Sequence, residues 1–492
     1  MRSIMRRLSA LVVLGVLFSL LSAPGASAAD PAAEIEARWQ ASGAEGGPLG
    51  AKRPAPDDVP YEVSGGWAQD YVKDGCVCGS IYWSTGTGAR ALLGPVRAKY
   101  LALGGADSPL GLPTHEEAAA GDSGLSAAFQ GGRIYWSQPT GAHSVTGAIL
   151  SRYRALSGAS GPLGFPTSDT VPAGPSGSRV SNFVGGRVYW SSATGARMIR
   201  RTSILTKYLD KGGARGRLGL PTGEVGNVTG GRRIVFQRGR IYWSSAYGAQ
   251  TVERPVVGRF VKIGAGSSYI GMPTTDTYRT SGGWKNRFRA GSIRSWDSSG
   301  STRVTGTWLP RVQRVTASQI PYTYRSGCPV GPSGLRRVLM PYYDWAGVPR
   351  YGKLIVRTSA NDDMRRVFQR AFSGRFPIRR MNPVDVYRGS DVRAMEADNT
   401  SAFNCRKVTG NPYRLSQHSY GNAIDINTFE NPYVTSSTVY PSGSRTYLNR
   451  SWVRKGMIVR SGPIARGMAA EGWPWGARWS HPDYQHFSSN GG

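Results

Sequence analysis

The sequence predicts a multidomain chain in which a β-rich array of five repeats precedes a separate α+β domain. Three observations predict it. Trp83, Trp136, Trp190, Trp243 and Trp296 recur at intervals of 53, 54, 53 and 53 residues. The chain holds 66 Gly, 14 Trp and 24 Tyr, a composition of turn-rich β structure with large aromatic contacts. At 492 residues it exceeds what one core usually serves.

Each repeat carries two further marks in fixed order. Leu49-Gly50, Leu110-Gly111, Leu163-Gly164, Leu218-Gly219 and Ile270-Gly271 form the first. In the last four a proline follows two residues after the glycine, as Pro113, Pro166, Pro221 and Pro273. The second is an aromatic on a short helical pattern: Trp39, Tyr100, Tyr153, Tyr208 and Phe260. Each unit therefore reads as a short amphipathic helix, a Gly-rich turn, the Leu-Gly-x-Pro-Thr element, a hairpin strand such as Arg133-Ile134-Tyr135-Trp136-Ser137, and a closing strand. Alternation places Tyr135 on the face opposite Ile134 and Trp136. One unit is too small to bury its own aromatics, so five units stack or close on one another. The recurrent Trp and Tyr read as a repeated core in preference to sugar-stacking platforms.

The bounds that follow are a signal peptide over 1–28 and repeats over 31–306 (about 31–94, 95–147, 148–202, 203–254 and 255–306). A linker over 307–322 and a C-terminal domain over 323–492 complete the chain. The leader shows Arg2, Arg6 and Arg7, an apolar run from Leu8 to Leu21, and Ala26-Ser27-Ala28 as a cleavage site. That run is too short for a comfortable span, and no other stretch is apolar enough. The mature chain is thus expected outside the cell, without a transmembrane anchor.

A formal charge of +31 calls for an anionic partner. Export argues against nucleic acid and favours anionic cell-wall polymers or acidic glycans. Of the four cysteines, Cys76 and Cys78 are too close to belong to a large framework, which leaves Cys328 to pair with Cys405. In the C-terminal domain Lys353-Leu354-Ile355-Val356 reads as a strand. Asn361–Phe372 reads as a helix with Met364, Val367, Phe368, Ala371 and Phe372 on one face.

Chemistry concentrates at the end of the chain. Three of its five histidines, His418, His481 and His486, lie there. In Ser416-Gln417-His418-Ser419-Tyr420-Gly421-Asn422-Ala423-Ile424-Asp425, a strand from Ala423 to Asn427 turns Ile424 and Ile426 to the core and Asp425 away. Gly421 lets His418 fold back beside Asp425. His486, in Asp483-Tyr484-Gln485-His486-Phe487, completes a His-Asp-His set. Three protein ligands with a place left for water are the pattern of a catalytic zinc site. Asp483 is the carboxylate chosen as the base, provided that it sits on a turn leading into the strand of His486. His481 is placed beside the site without ligating, and Trp473, Trp475 and Trp479 either wall the cleft or pack the core.

The repeat marks resemble the LGFP repeat of actinobacterial wall proteins, which implies a wall-associated module closing five units with pseudo-fivefold symmetry. The first unit departs from the pattern, since Leu49-Gly50 runs into Ala51-Lys52. The fifth does so too, with Arg294-Ser295-Trp296 in place of Tyr-Trp-Ser. The string S-x-H-x-x-G-x-A-x-D with a later D-x-x-H resembles D-alanyl-D-alanine carboxypeptidases of VanY type, which share their fold with phage endolysin endopeptidases and hedgehog-type domains. That resemblance, over about residues 315–492, implies Zn2+ on His418, Asp425 and His486, Asp483 as acid/base, and peptidoglycan stem peptides as substrate. The stretch Asp398–Arg406 also resembles a branch of this family. It offers Arg406 as the group that holds the substrate carboxylate or the developing oxyanion, with Arg388 as its rival and a surface ion pair as the plainer role for both. A wall-binding structural protein with an idle metallodomain is the alternative.

Overall fold

The computed structural model describes residues 30–175, 177–409 and 411–491, so the signal segment expected over 1–28 lies outside the described residues. The chain divides into two compact units, Met1–Thr170 and Val171–Gly492, and the division falls inside the repeat array. Among the described residues no helix is long and apolar enough to cross a membrane.

The first unit holds an antiparallel sheet of five strands over residues 51–93 and one of four strands over 113–146. The second begins with three four-stranded antiparallel sheets, over 171–200, 226–253 and 278–306. In each sheet the central hairpin strand buries an aliphatic residue completely: Ile81, Ile134, Val188, Ile241 and Ile293. On the opposite face Tyr82, Tyr135, Tyr189 and Tyr242 meet the ring of the helix that follows edge-on, at 5.2–5.5 Å between centroids. These tyrosines are core, whereas Trp136, Trp190 and Trp243 are half-buried.

The two sequence marks are one hydrogen bond. The helix aromatic donates to the carbonyl of the glycine eleven residues later: Trp39 Nε1 to Gly50 at 2.9 Å, Tyr100 to Gly111 at 2.9 Å, Tyr153 to Gly164 at 2.7 Å and Tyr208 to Gly219 at 2.8 Å. That glycine has positive φ in every unit, and a Cβ at Gly50 would stand 2.2 Å from the Val72 carbonyl oxygen, so no other residue fits. In the fifth unit Phe260 cannot donate, and only the ring packing remains, on Phe288 at 4.4 Å, as Tyr100 packs on Phe129 and Tyr208 on Phe236. There the register also corrects one sequence mark. Gly291 pairs with Phe288 and Gly306 as Gly239 pairs with Phe236 and Glu253, so Ser295 takes the place of Trp243 and Trp296 that of Ser244.

A recurrent carboxylate, three residues after the Leu-Gly-x-Pro proline, escaped the sequence reading. Glu116, Asp169, Glu224 and Asp276 accept the backbone N–H of Ala91, Ser144, Met198 and Thr251 on the closing strand of the preceding sheet. Three of them also pair with the basic residue just before a helix aromatic: Arg38 with Glu116, Lys99 with Asp169 and Lys207 with Asp276. One carboxylate thus ties a helix, a strand edge and the next repeat together.

The rest of the second unit is mixed α/β. Strands β1 (Arg311–Arg314), β2 (Leu335–Tyr343) and β3 (Pro349–Arg357) form an antiparallel sheet. Helix α1 (Asn361–Ser373) buries Met364, Val367, Phe368, Ala371 and Phe372, the five residues its periodicity predicts. The stretch expected as a linker over 307–322 instead holds β1, which pairs with β2. It was illegible because all four of its side chains are exposed, leaving no alternation to read. Nor is the last repeat loosely tethered. Tyr343 Oη accepts from Gly306 N at 3.0 Å, Tyr269 meets Tyr351 at 4.7 Å, and Val348 joins the fifth repeat's core. Cys328 pairs with Cys405 as expected, and Cys76 with Cys78.

Replacing Asp276 by Ala removes the acceptor of Thr251 N and the partner of Lys207 and Lys211. The expected loss is about 1–3 kcal/mol, read as a lowered denaturant midpoint of the repeat segment.

Candidate metal centre

Two short strands, β4 (Ala423–Asp425) and β5 (His486–Ser488), pair antiparallel with Asp425 directly opposite His486. Alternation runs as the sequence predicts, over a strand that ends at Asp425 rather than Asn427. Ile424, Ile426 and Phe487 enter the main core, while Asp425 and His486 face the other way. On its far edge Asp425 exchanges backbone hydrogen bonds with Ser401 at 3.0 and 2.9 Å.

His418 comes from the turn Gln417–Tyr420, where the Ser416 hydroxyl accepts from its backbone N–H. Gly421 closes the turn at φ +67°, and a Cβ there would lie 2.8 Å from Arg357 N. The imidazole Nδ1 donates to the Ala402 carbonyl, which leaves the Nε2 lone pair facing the cleft. His418 Nε2 lies 3.1 Å from Asp425 Oδ2, His486 Nδ1 lies 3.0 Å from Asp425 Oδ1, and the two nitrogens are 3.3 Å apart. All three residues are buried, at 3%, 4% and 6% exposure.

This donor set fits a divalent metal ion. Ligand atoms on one zinc stand about 3.3 Å apart; the two imidazole nitrogens are at that distance, and each lies about 3 Å from a different Asp425 oxygen. His486 Nε2 and Asp483 Oδ1 are also buried without a protein partner. His418, Asp425 and His486 are a group that could hold a metal ion, each offering one ligand atom.

The charges of the trio are strongly linked. Burial opposes ionisation of Asp425, but the charge and hydrogen bond of His418, and then those of His486, hold its carboxyl below the usual range. Burial works against protonated His418, yet Asp425 raises it; at His486 burial prevails and lowers it. Burial first, then the charges of Asp425 and Asp391, push the Asp483 carboxyl well above the ordinary value.

Asp483 stands on the approach to β5, anchored by a bridge to Tyr433 and separated from His486 by a two-residue bend. With the trio it lines a cavity of about 280 Å³ that also takes in Asp391, Arg406, Arg414, Tyr433, Trp479 and His481. Arg406 therefore reaches the cleft; exposed Arg388 does not line it. His481 lines the cleft but is no member of the trio. The three tryptophans divide. Trp473 is core, Trp475 stacks on Phe487, and Trp479 lies 5.3 Å from the His486 ring. Asp391, 2.7 Å from Arg406, was missed, since nothing local marks it beyond Ser390 as a helix cap.

A buried His-Asp-His group in a mixed α/β region, preceded by an array of antiparallel sheets, defines the class: repeats joined to a domain with a candidate metal centre. Comparison with known families names both parts. Residues 409–489 match the D-alanyl-D-alanine carboxypeptidase family, and residues 53–108, 110–161, 163–216 and 218–267 match the LGFP repeat. The chain thus carries LGFP repeats and a D-alanyl-D-alanine carboxypeptidase domain. No curated protein matches it. Among solved structures, the extracellular domain of a one component system from B. thetaiotaomicron aligns at 9% identity and TM-score 0.11, over 62% of this chain and 34% of that one. The tricorn protease aligns at 10% identity and TM-score 0.09, over 61% and 25%. The chain spans about a third or less of the length of these structures, and at such scores they carry no argument.

Substituting Gly421 by Ala forces an L side chain into a left-handed conformation against the backbone of Arg357. We expect a loss of about 1–3 kcal/mol in unfolding free energy, with weaker metal uptake in calorimetric titration because His418 rides on this turn.

Proposed function

We propose that this chain is a secreted, cell-wall-associated zinc peptidase that hydrolyses peptide bonds in peptidoglycan stems. One observation carries the reading: the convergence of His418, Asp425 and His486 in a cleft that also holds the carboxyl of Asp483. Two imidazoles and one carboxylate, with no thiolate among them, are the donors of catalytic zinc sites. An ion held there activates water near neutral pH and polarises the carbonyl.

The chain's own groups do the rest. Asp483 takes a proton from the attacking water and returns it to the leaving amine; burial keeps that carboxyl away from bulk solvent. Arg406 turns an N–H toward the substrate, its backbone clasped by Ser416 N and the Ser419 hydroxyl beside His418. The bridge between Cys328 and Cys405 fixes the segment before it.

Export over residues 1–28 belongs to the same proposal, and paired cysteines support an oxidising compartment. So do repeats over 31–306, closed as a ring, that bring a chain of charge +31 to anionic wall polymers or glycans, and a peptidase domain over 323–492.

Elemental analysis of the purified protein should find about one zinc per chain, and His486→Ala should lose it. Digestion of purified peptidoglycan followed by mass spectrometry should show stem fragments with the wild type. Asp483→Asn should release them about 10²–10⁴-fold more slowly while keeping its metal. A zinc-loaded wild type that releases nothing would mark a wall-binding protein with an idle metallodomain.

A further inference from the structure

We infer that the cleft cuts within a peptide rather than trimming its C-terminal residue, and that Asp391 sets this preference. This rests on the peptidase reading and names the class of bond the site takes. A carboxypeptidase must hold the terminal carboxylate next to the scissile bond, which calls for a cation whose charge is not already compensated.

Two arginines line the cleft, Arg406 and Arg414. Arg406 Nη2 lies 2.7 Å from Asp391 Oδ2, an oxygen that also accepts from the Thr409 hydroxyl at 2.8 Å. Its Nη1 donates to the Lys407 carbonyl at 2.9 Å. The pair is sheltered, with side-chain exposures of 18% and 13%, so water screens it little. Both partners are built in. Asp391 is the first residue of helix α2 (Asp391–Glu396), which Ser390 caps, and the Arg406 backbone is clasped to the His418 turn. Arg406 Nε is buried without a partner, and Nη1 and Nη2 each keep one further N–H. N–H groups on a guanidinium already neutralised by Asp391 suit the carbonyl of an internal peptide group. A terminal carboxylate would meet Asp391 across the same guanidinium, with Asp425 and Asp483 in the same cleft. Arg414 lies exposed on the strand Asn411–Leu415, where solvent shares its charge.

Matched stem peptides with a free or an amidated C-terminus test this. Calorimetry on Asp483→Ala gives their affinities, and kcat/KM on the wild type gives their cleavage. The wild type should bind and cut the amide at least as well as the acid. Asp391→Asn keeps the size and the polar contacts of the side chain and removes the charge. It should shift both ratios about tenfold toward the acid. A wild type that takes the acid tenfold better overturns the inference. So does an unmoved ratio in a variant whose circular dichroism and unfolding are native. Should Asp391→Asn not fold, the wild-type preference alone decides. Cleavage of neither peptide sinks the peptidase reading, and the binding ratio still judges Asp391.

Discussion

The site depends on the register of β4 against β5. Those strands are three residues each, too short to hold their own alignment. What fixes it is the side of the strand that carries no chemistry. Ile424, Ile426 and Phe487 are inserted in the main core at 0–1% exposure. A slip of one residue would turn Ile424 into the polar cleft and Asp425 into the core, at the combined cost of apolar exposure and a buried charge. Ser401 on the other edge leaves Asp425 no backbone freedom either. The two cleft-facing groups, Asp425 and His486, are thus aligned by hydrophobic burial, and His418 is added from a turn that only glycine can close.

The same economy of means runs through the repeats. In the first four units a helix aromatic reaches over eleven residues to the carbonyl of a left-handed glycine, so Leu-Gly and the aromatic mark are two ends of one contact. Both were legible because their spacing is invariant and their residue types unusual. The carboxylate that straps each repeat to the previous sheet is just as regular, yet acidic residues in loops are common and its partners are backbone amides of another unit. Only coordinates reveal such a pairing. The fifth unit shows the limit of spacing as evidence. Trp296 keeps the interval of 53 but sits one strand position further on, because its sheet register is set by Gly291 and Gly306.

For the metal centre, the sequence was informative where chemistry is local. His418, Gly421 and Asp425 lie within eight residues, and strand alternation plus one glycine suffice to bring them together. His486 completes the set from the second strand, whereas Asp483, three residues before it, needed a break in the strand pattern to face the same cleft. Residues recruited from afar were not visible in this way: Asp391 meets Arg406 through a helix start fifteen residues upstream, and β1 is an exposed edge without hydrophobic pattern. Of the two rival arginines only Arg406 lines the cleft, on the segment between Cys405 and the His418 turn.

Charge is distributed unequally between the chain and its cleft. The molecule as a whole carries +31, a field that draws polyanions from a distance and weakens with salt. Inside the cleft, Asp391 faces Arg406, and Asp425 lies between two imidazoles. Under the proposed function, a long-range field that extended unopposed into the cleft would let anionic wall polymers compete there with a peptide substrate. Local compensation separates the two tasks. On that proposal attraction belongs to the surface, and selection in the cleft is left to hydrogen-bond geometry and to an ion held by the trio, which act only at contact distance.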